Sequence, residues 1–316
     1  MRLLGYIPPT EREIDLALNE MAKQGHEVEG AEVCRSNGLS YQEDKEVFLG
    51  SFLAKAFPDW SWGRQGTGDC VSWSQAHCVD VLASVDVHMK QERERIVARC
   101  SSEVQYGFMR IEAYGGKQRW GGAGATGSGA AKGITKFGSL YRMKYKNGKY
   151  DFSNYSGSRA ISFGRTGVPD ELEEIAAEHK CATATLVRDF ETAAKLIANG
   201  YPVNNCHQRN PTCSGHRRDE NGFPIGRVSG AAHSMTYIGV RFGKHPALFK
   251  TNTGHGNHVS GPSGTDYEIH PKLLQCGWWE SPSTVNYVLS GNDSYAYSGY
   301  EGFKRQELPD LGFDYL

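Results

Sequence analysis

Hydrophobic and polar positions follow a helical rhythm in the first two thirds of the chain and a strand-like one after Pro202. Residues 10–25, TEREIDLALNEMAKQG, read as a helix that Thr10 caps, with Glu13 three residues on and a glycine closing the run. From Cys70 to Lys90 the helical reading gathers Val71, Cys78, Val79, Leu82, Val85 and Met89 into one stripe. The stretch VDVLASVDV within it also alternates like a strand, but a run of this length favours the helix. PDELEEIAAEH and DFETAAKLIANG predict two more helices, the second ended by Gly200. Beyond Pro202 the strand-like segments are YPVNNCHQ, HSMTYIGVRF, HPALFKTNT, TDYEIHPKLL and STVNYVLSG. Helices followed by strands make an α+β arrangement in two lobes, with no internal repeat.

The glycine-rich stretch 115–138 breaks both rhythms. Glycines there supply close backbone approach and positive φ. Neither a preceding strand nor a following Lys-Ser/Thr is present, so phosphate cradling is not its use. The expected divisions are an N-terminal extension (1–45), a helical lobe (46–150), a strand-rich lobe (151–290) and an aromatic tail (291–316). Extension and tail are each expected to dock on the body or on a protein partner.

Composition narrows the function classes. A formal net charge of −1 gives no long-range field to favour nucleic acid or an anionic membrane. The start, MRLLGYIPPTEREIDLALNE, has too short an apolar stretch for a signal peptide, and no stretch approaches a bilayer span. The expectation is a protein of the cytoplasm, or one packaged into a particle assembled there. Eight cysteines are scattered without a dense framework, so free thiols are the default.

One cysteine has a motif around it. In RQGTGDCVSWSQAH, residues 64–77, Cys70 follows a glycine-rich turn and opens the predicted helix, whose N-terminus favours a thiolate. A thiolate nucleophile also needs a base. His233, in SGAAHSMTYIGVRFG, is the candidate, because small residues before it leave room at the ring and an apolar strand follows. Asn252 ends the next strand after the tight GKHPA turn, close enough to orient that ring. The Cys70 backbone N–H and the Gln65 amide are candidate oxyanion donors. CHQRNPTCSGHRRD offers Cys206, His207, Cys213 and His216, but a C-x6-C spacing with one adjacent histidine is irregular for zinc. It reads as a loop with a possible Cys206–Cys213 link under oxidising conditions; His255 and His258 read as a polar loop near the cleft. No metal site is expected.

QGTGDCVSWSQAH, then WGG, NGYPV, GAAHSMTYIGV and LFKTNTGHG resemble, in order and context, the papain-like cysteine peptidases, across roughly residues 60–290. The Gly-Asp-Cys turn is similar to the calpain branch. The resemblance implies a two-lobe α+β fold with a cleft between lobes. It implies Cys70 as nucleophile, His233 as general base and acid, Asn252 as orienter and Gln65 as oxyanion donor. Gly121 and Gly122 would pair with an extended peptide or protein substrate, and no cofactor is implied. Three positions depart from the family pattern. Gln65 lies five residues before Cys70, one fewer than usual; Val71 stands where a tryptophan usually follows the cysteine; Asn-Thr-Gly-His-Gly replaces Asn-Ser-Trp-Gly. Losing that indole is expected to expose the Asn–His bond. The expected activity is peptide-bond hydrolysis through an acyl-enzyme. The alternatives are a catalytically impaired structural or binding protein of a larger assembly, and a cell-wall peptidoglycan amidase.

Overall fold

A computed structural model describes residues 5–26, 28–43, 45–90, 98–213, 216–252, 276–299 and 302–308 of the chain. In chain order the elements begin with α1 (Glu11–Lys23), α2 (Gly30–Ser36), β1 (Val47–Phe48), α3 (Gly50–Ala56) and α4 (Cys70–Lys90). Next come α5 (Ser102–Arg110), α6 (Gly127–Lys136), β2 (Lys144–Tyr145), β3 (Tyr150–Asp151), α7 (Gly157–Thr166) and α8 (Asp170–Ala176). The remainder is β4 (Ala184–Leu186), α9 (Phe190–Ala198), β5 (Val203–Pro211), β6 (Gly230–Arg241), β7 (Ala247–Thr251), β8 (Gly277–Glu280), α10 (Pro282–Leu289) and β9 (Tyr295–Tyr297). The main sheet runs β4-β9-β5-β6-β7-β8, all antiparallel, with β1 pairing β6 beside it. No helix among the described residues is long and apolar enough to cross a membrane.

Local chemistry explains most of the elements. Thr10 and Glu13 form a reciprocal capping box on α1, as the sequence predicts. Asp189 caps α9, and Gly200 takes the positive φ that ends it. The predicted helix from Cys70 has its predicted bounds, but it is not the half-exposed amphipath its stripe suggests. Every residue from Cys70 to Leu82 is buried. Its polar side chains face neighbours rather than water: Ser74 donates to the Met235 carbonyl (2.6 Å), and Gln75 donates to the Ala130 carbonyl (2.6 Å). The Asp80 carboxylate accepts from the Cys100 N–H. The helix is thus the central strut between the sheet and the other helices.

Two segments differ from expectation. STVNYVLSG, predicted as a strand, is α10: Ser281 caps it, Pro282 fits its first turn, and Val285, Val288 and Leu289 turn inward at helical spacing. The glycine-rich stretch contains α6, capped by Thr126. Its glycines serve close approach as expected: a Cβ on Gly127 would sit 2.0 Å from the Asp293 carbonyl oxygen. The predicted strand TDYEIHPKLL, the loop histidines His255 and His258, and most of the charged run KQERERIVARC lie outside the described residues. Trp278 and Trp279 are buried on β8.

Both ends of the described chain pack on the body. Phe303 and Leu308 join the main core, and the Tyr201 hydroxyl donates to the Lys304 carbonyl (2.8 Å). At the other end, residues 5–7 run beside α6 and α4, as described next.

Candidate active site

Cys70 is the first residue of α4 and is fully buried. β6 and β7 carry the other two candidates of the proposed triad. His233 lies near the start of β6, and Asn252 directly follows β7; the hairpin register pairs Thr236 with Thr251. His233 Nε2 and Asn252 Oδ1 are 2.9 Å apart. Asn252 Nδ2 donates to the Thr212 carbonyl (3.5 Å), which fixes the amide orientation. An amide oxygen only accepts, so Nε2 carries the ring proton and the lone pair lies on Nδ1. The helix that Cys70 opens packs on the same strand, where Ser74 Oγ donates to the Met235 carbonyl (2.6 Å) two residues beyond His233.

The His–Asn bond is not exposed, despite the missing indole. His233 is 4% and Asn252 2% exposed. Asn252 is further held by the Cys276 carbonyl, which accepts from its N–H at 2.8 Å. A buried bond of this kind holds the imidazole's tautomer and direction.

Gln65 is buried, and its amide donates to the Thr67 carbonyl at 3.0 Å, within its own turn. The shortened spacing thus comes with a locally engaged amide. Asp69, missed as a site residue by the sequence reading, is buried beside Cys70. It accepts from the Tyr155 hydroxyl at 2.9 Å, and its Oδ1 has no hydrogen-bond partner among the described residues. Burial pushes its carboxyl up to about 8. Where it is ionised, Asp69 adds to burial in raising the neighbouring Cys70 thiol.

The N-terminal segment passes directly over Cys70. Ile7 N–H donates to the Ala125 carbonyl (2.8 Å) and Ala125 N–H donates to the Gly5 carbonyl (2.9 Å), in a parallel bridge. Gly5 lies so close that a Cβ there would be 2.5 Å from the Gly68 carbonyl group and 2.9 Å from Cys70 N. Burial pushes the Cys70 thiol up to about 12, outweighing the amides of Ser234, Gly5 and Val71. The thiol is therefore protonated at neutral pH while the arm is in place.

Gly121 and Gly122 are exposed, and the backbone that pairs with the arm is Ala125, three residues further on. The Gly122 carbonyl instead accepts from Arg110 (2.8 Å). Of the possible metal ligands, Cys206 packs in the cluster that holds Cys70 and hydrogen-bonds Ser234 Oγ (3.2 Å), whereas Cys213 packs with Met235 and Trp278. Both are free thiols in separate surroundings.

Solved structures provide the comparison. Xylellain, a cysteine protease from Xylella fastidiosa, superposes with a TM-score of 0.55 at 14% identity, over 94% of this chain and 96% of that one. The Amb a 11 cysteine protease of ragweed pollen in its proform matches at 0.48 and 13%, over 82% of this chain and 66% of that one. The digestive procathepsin L 3 of Tenebrio molitor matches at 0.44 and 12%, over 90% of each chain. The chain has the papain-like cysteine-protease fold, an α+β fold as expected. No family model matches the sequence, and no curated protein does.

Proposed function

We propose that the protein is a cysteine peptidase that its own N-terminal arm holds latent. The observation that carries this reading is the buried His233–Asn252 bond, whose strand packs against the central helix that Cys70 opens. In this reading the Cys70 proton passes to His233 Nδ1, and the thiolate attacks the scissile carbonyl. The tetrahedral oxyanion is met by the Cys70 N–H, at the place Gly5 now occupies. The C–N bond breaks as His233 returns the proton to the leaving amine. Water, deprotonated by the same ring, then hydrolyses the thioester and frees the thiol. The substrate is an extended peptide whose backbone pairs with Ala125.

Displacing the arm tests both parts. Gly5→Val places side-chain atoms against the Gly68 backbone, which cannot retreat without moving α4. The variant is expected to hydrolyse a fluorogenic peptide library at least about tenfold faster than the parent chain, as the competent fraction rises. A thiol-directed epoxide should then modify Cys70, located by mass spectrometry, and His233→Ala should slow hydrolysis by about 10²–10⁴-fold. A Gly5→Val chain that neither cleaves peptide nor reacts selectively at Cys70 would sink the proposal.

A further inference from the structure

A β-bulge lies beside the candidate histidine. Across β5 and β6, His207 pairs with His233, but the next partners are Asn210 and Ala231, so Gln208 and Arg209 together face the single residue Ala232. The extra residue breaks the strand's alternation. Gln208 and Arg209 are both exposed, and Asn210 turns inward and is wholly buried. A bulge next to a site re-aims a side chain, and the one re-aimed here is that of Asn210.

Asn210 reaches the backbone of His233. Its Nδ2 donates to the His233 carbonyl (3.1 Å) and to Asn205 Oδ1 (2.8 Å), while its Oδ1 accepts from Lys250 Nζ (2.7 Å). An ammonium group only donates, so Lys250 decides which end of the amide faces which neighbour. Reversed, the amide would set its NH2 group against the ammonium and its oxygen against the His233 carbonyl. Lys250 is itself anchored, wholly out of water, by the buried carboxylate of Glu280. It stands two residues before Asn252, so the two side chains leave the same face of the chain. Asn252 holds the His233 ring directly, and Lys250, through Asn210, holds the carbonyl of the same residue. A ring that takes and returns a proton has to keep its place in both states, and a misplacement of about 1 Å can cost about 10²-fold in rate.

We infer that Asn210, oriented by Lys250, is a positioning residue for His233. That the positioned ring transfers protons rests on the peptidase reading; that Asn210 holds the ring against Asn252 does not. The test is Asn210→Asp, which keeps the shape and the acceptor for Lys250 but sets an oxygen against the His233 carbonyl. In the parent chain with isotope-labelled histidine, NMR reads the exchange of the His233 Nε2 proton with water, and the substitution is expected to speed it about tenfold or more. In the Gly5→Val chain, well below its melting temperature, the same substitution is expected to lower kcat about tenfold or more, with KM changed less than about twofold. A side chain that only stabilises the fold would lower the melting temperature and leave both readings where they were. Unchanged proton exchange, or unchanged kcat in a Gly5→Val chain that cleaves peptide, overturns the inference. Asn210→Ser, too short to bridge Lys250 and the His233 carbonyl, is held to the same two readings should Asn210→Asp not fold. Faster exchange together with no hydrolysis by the Gly5→Val chain would overturn the peptidase reading alone.

Discussion

At the scale of single residues, Asp69 and Asn252 bear on the site in different ways. An unfolded aspartate titrates near ~3.9, whereas burial pushes Asp69 up to about 8 in the folded chain. Between these values the folded state binds the additional proton, so this group's contribution to stability falls as pH rises from about 4 to about 8. Asp69→Asn removes that slope, so its melting temperature relative to the parent is expected to be higher at pH 8 than at pH 5. A constant difference would show that Asp69 is ionised across the range. Asn252 acts through His233. With the arm displaced, Asn252→Ala is expected to lower kcat by about 10²-fold, the low end of what positioned proton transfer contributes, with KM little changed. The triad candidates were legible because each sits in its own recognisable local pattern: a turn before a helix, small residues before a strand, an asparagine after a hairpin. Asn210 was not. Its inward turn depends on the bulge in β5 and its partners lie on β6 and β7, and no local pattern announces a pairing between segments so far apart in sequence.

At the scale of elements, legibility followed capping chemistry and failed where burial overrode rhythm. α1 and α9 carried their caps in plain view. STVNYVLSG read as a strand because its short apolar run fits either period; the cap Ser281 and Pro282 decide for helix, and they were the signal to weigh. β7 and β8 hide a different feature. Lys250 Nζ donates to Glu280 Oε1 (2.8 Å) and to Asn210 Oδ1 (2.7 Å), wholly out of water. Glu280 also accepts from the Tyr237 hydroxyl (2.7 Å) and Trp278 Nε1 (3.0 Å). Burial lowers the Lys250 ammonium's affinity for its proton, and Glu280 opposes that shift. Lys250→Met leaves Glu280 without its buried cation partner, so it is expected to cost about 3–5 kcal/mol in urea-unfolding measurements. A loss under about 1 kcal/mol would mean that the pair contributes no more than an exposed one.

At the scale of the whole molecule, the α+β class was legible from the change of rhythm after Pro202, and the order of the motifs pointed to the two-part architecture. Docking of the extension was foreseen; the place where it docks was not. LLGYIPP gives a reader only a glycine, an aromatic residue and two stiff prolines. The fit of Gly5 against Gly68 and Cys70 depends on backbone surfaces that exist only once α4 has formed. The helical part and the sheet meet along α4, so an arm resting on the first residue of that helix touches both.

The eight cysteines, all buried and unpaired, have a practical consequence. They make the chain its own counter of conformational state under a colour-forming thiol reagent. The native chain should release no colour quickly, a chain with its N-terminus lifted should release at most two equivalents, from Cys70 and Cys206, and a denatured chain should release eight. Intermediate stoichiometries would reveal partial opening. A single fast equivalent from the untouched native chain would mean that the N-terminal segment spends most of its time away from the helix it covers.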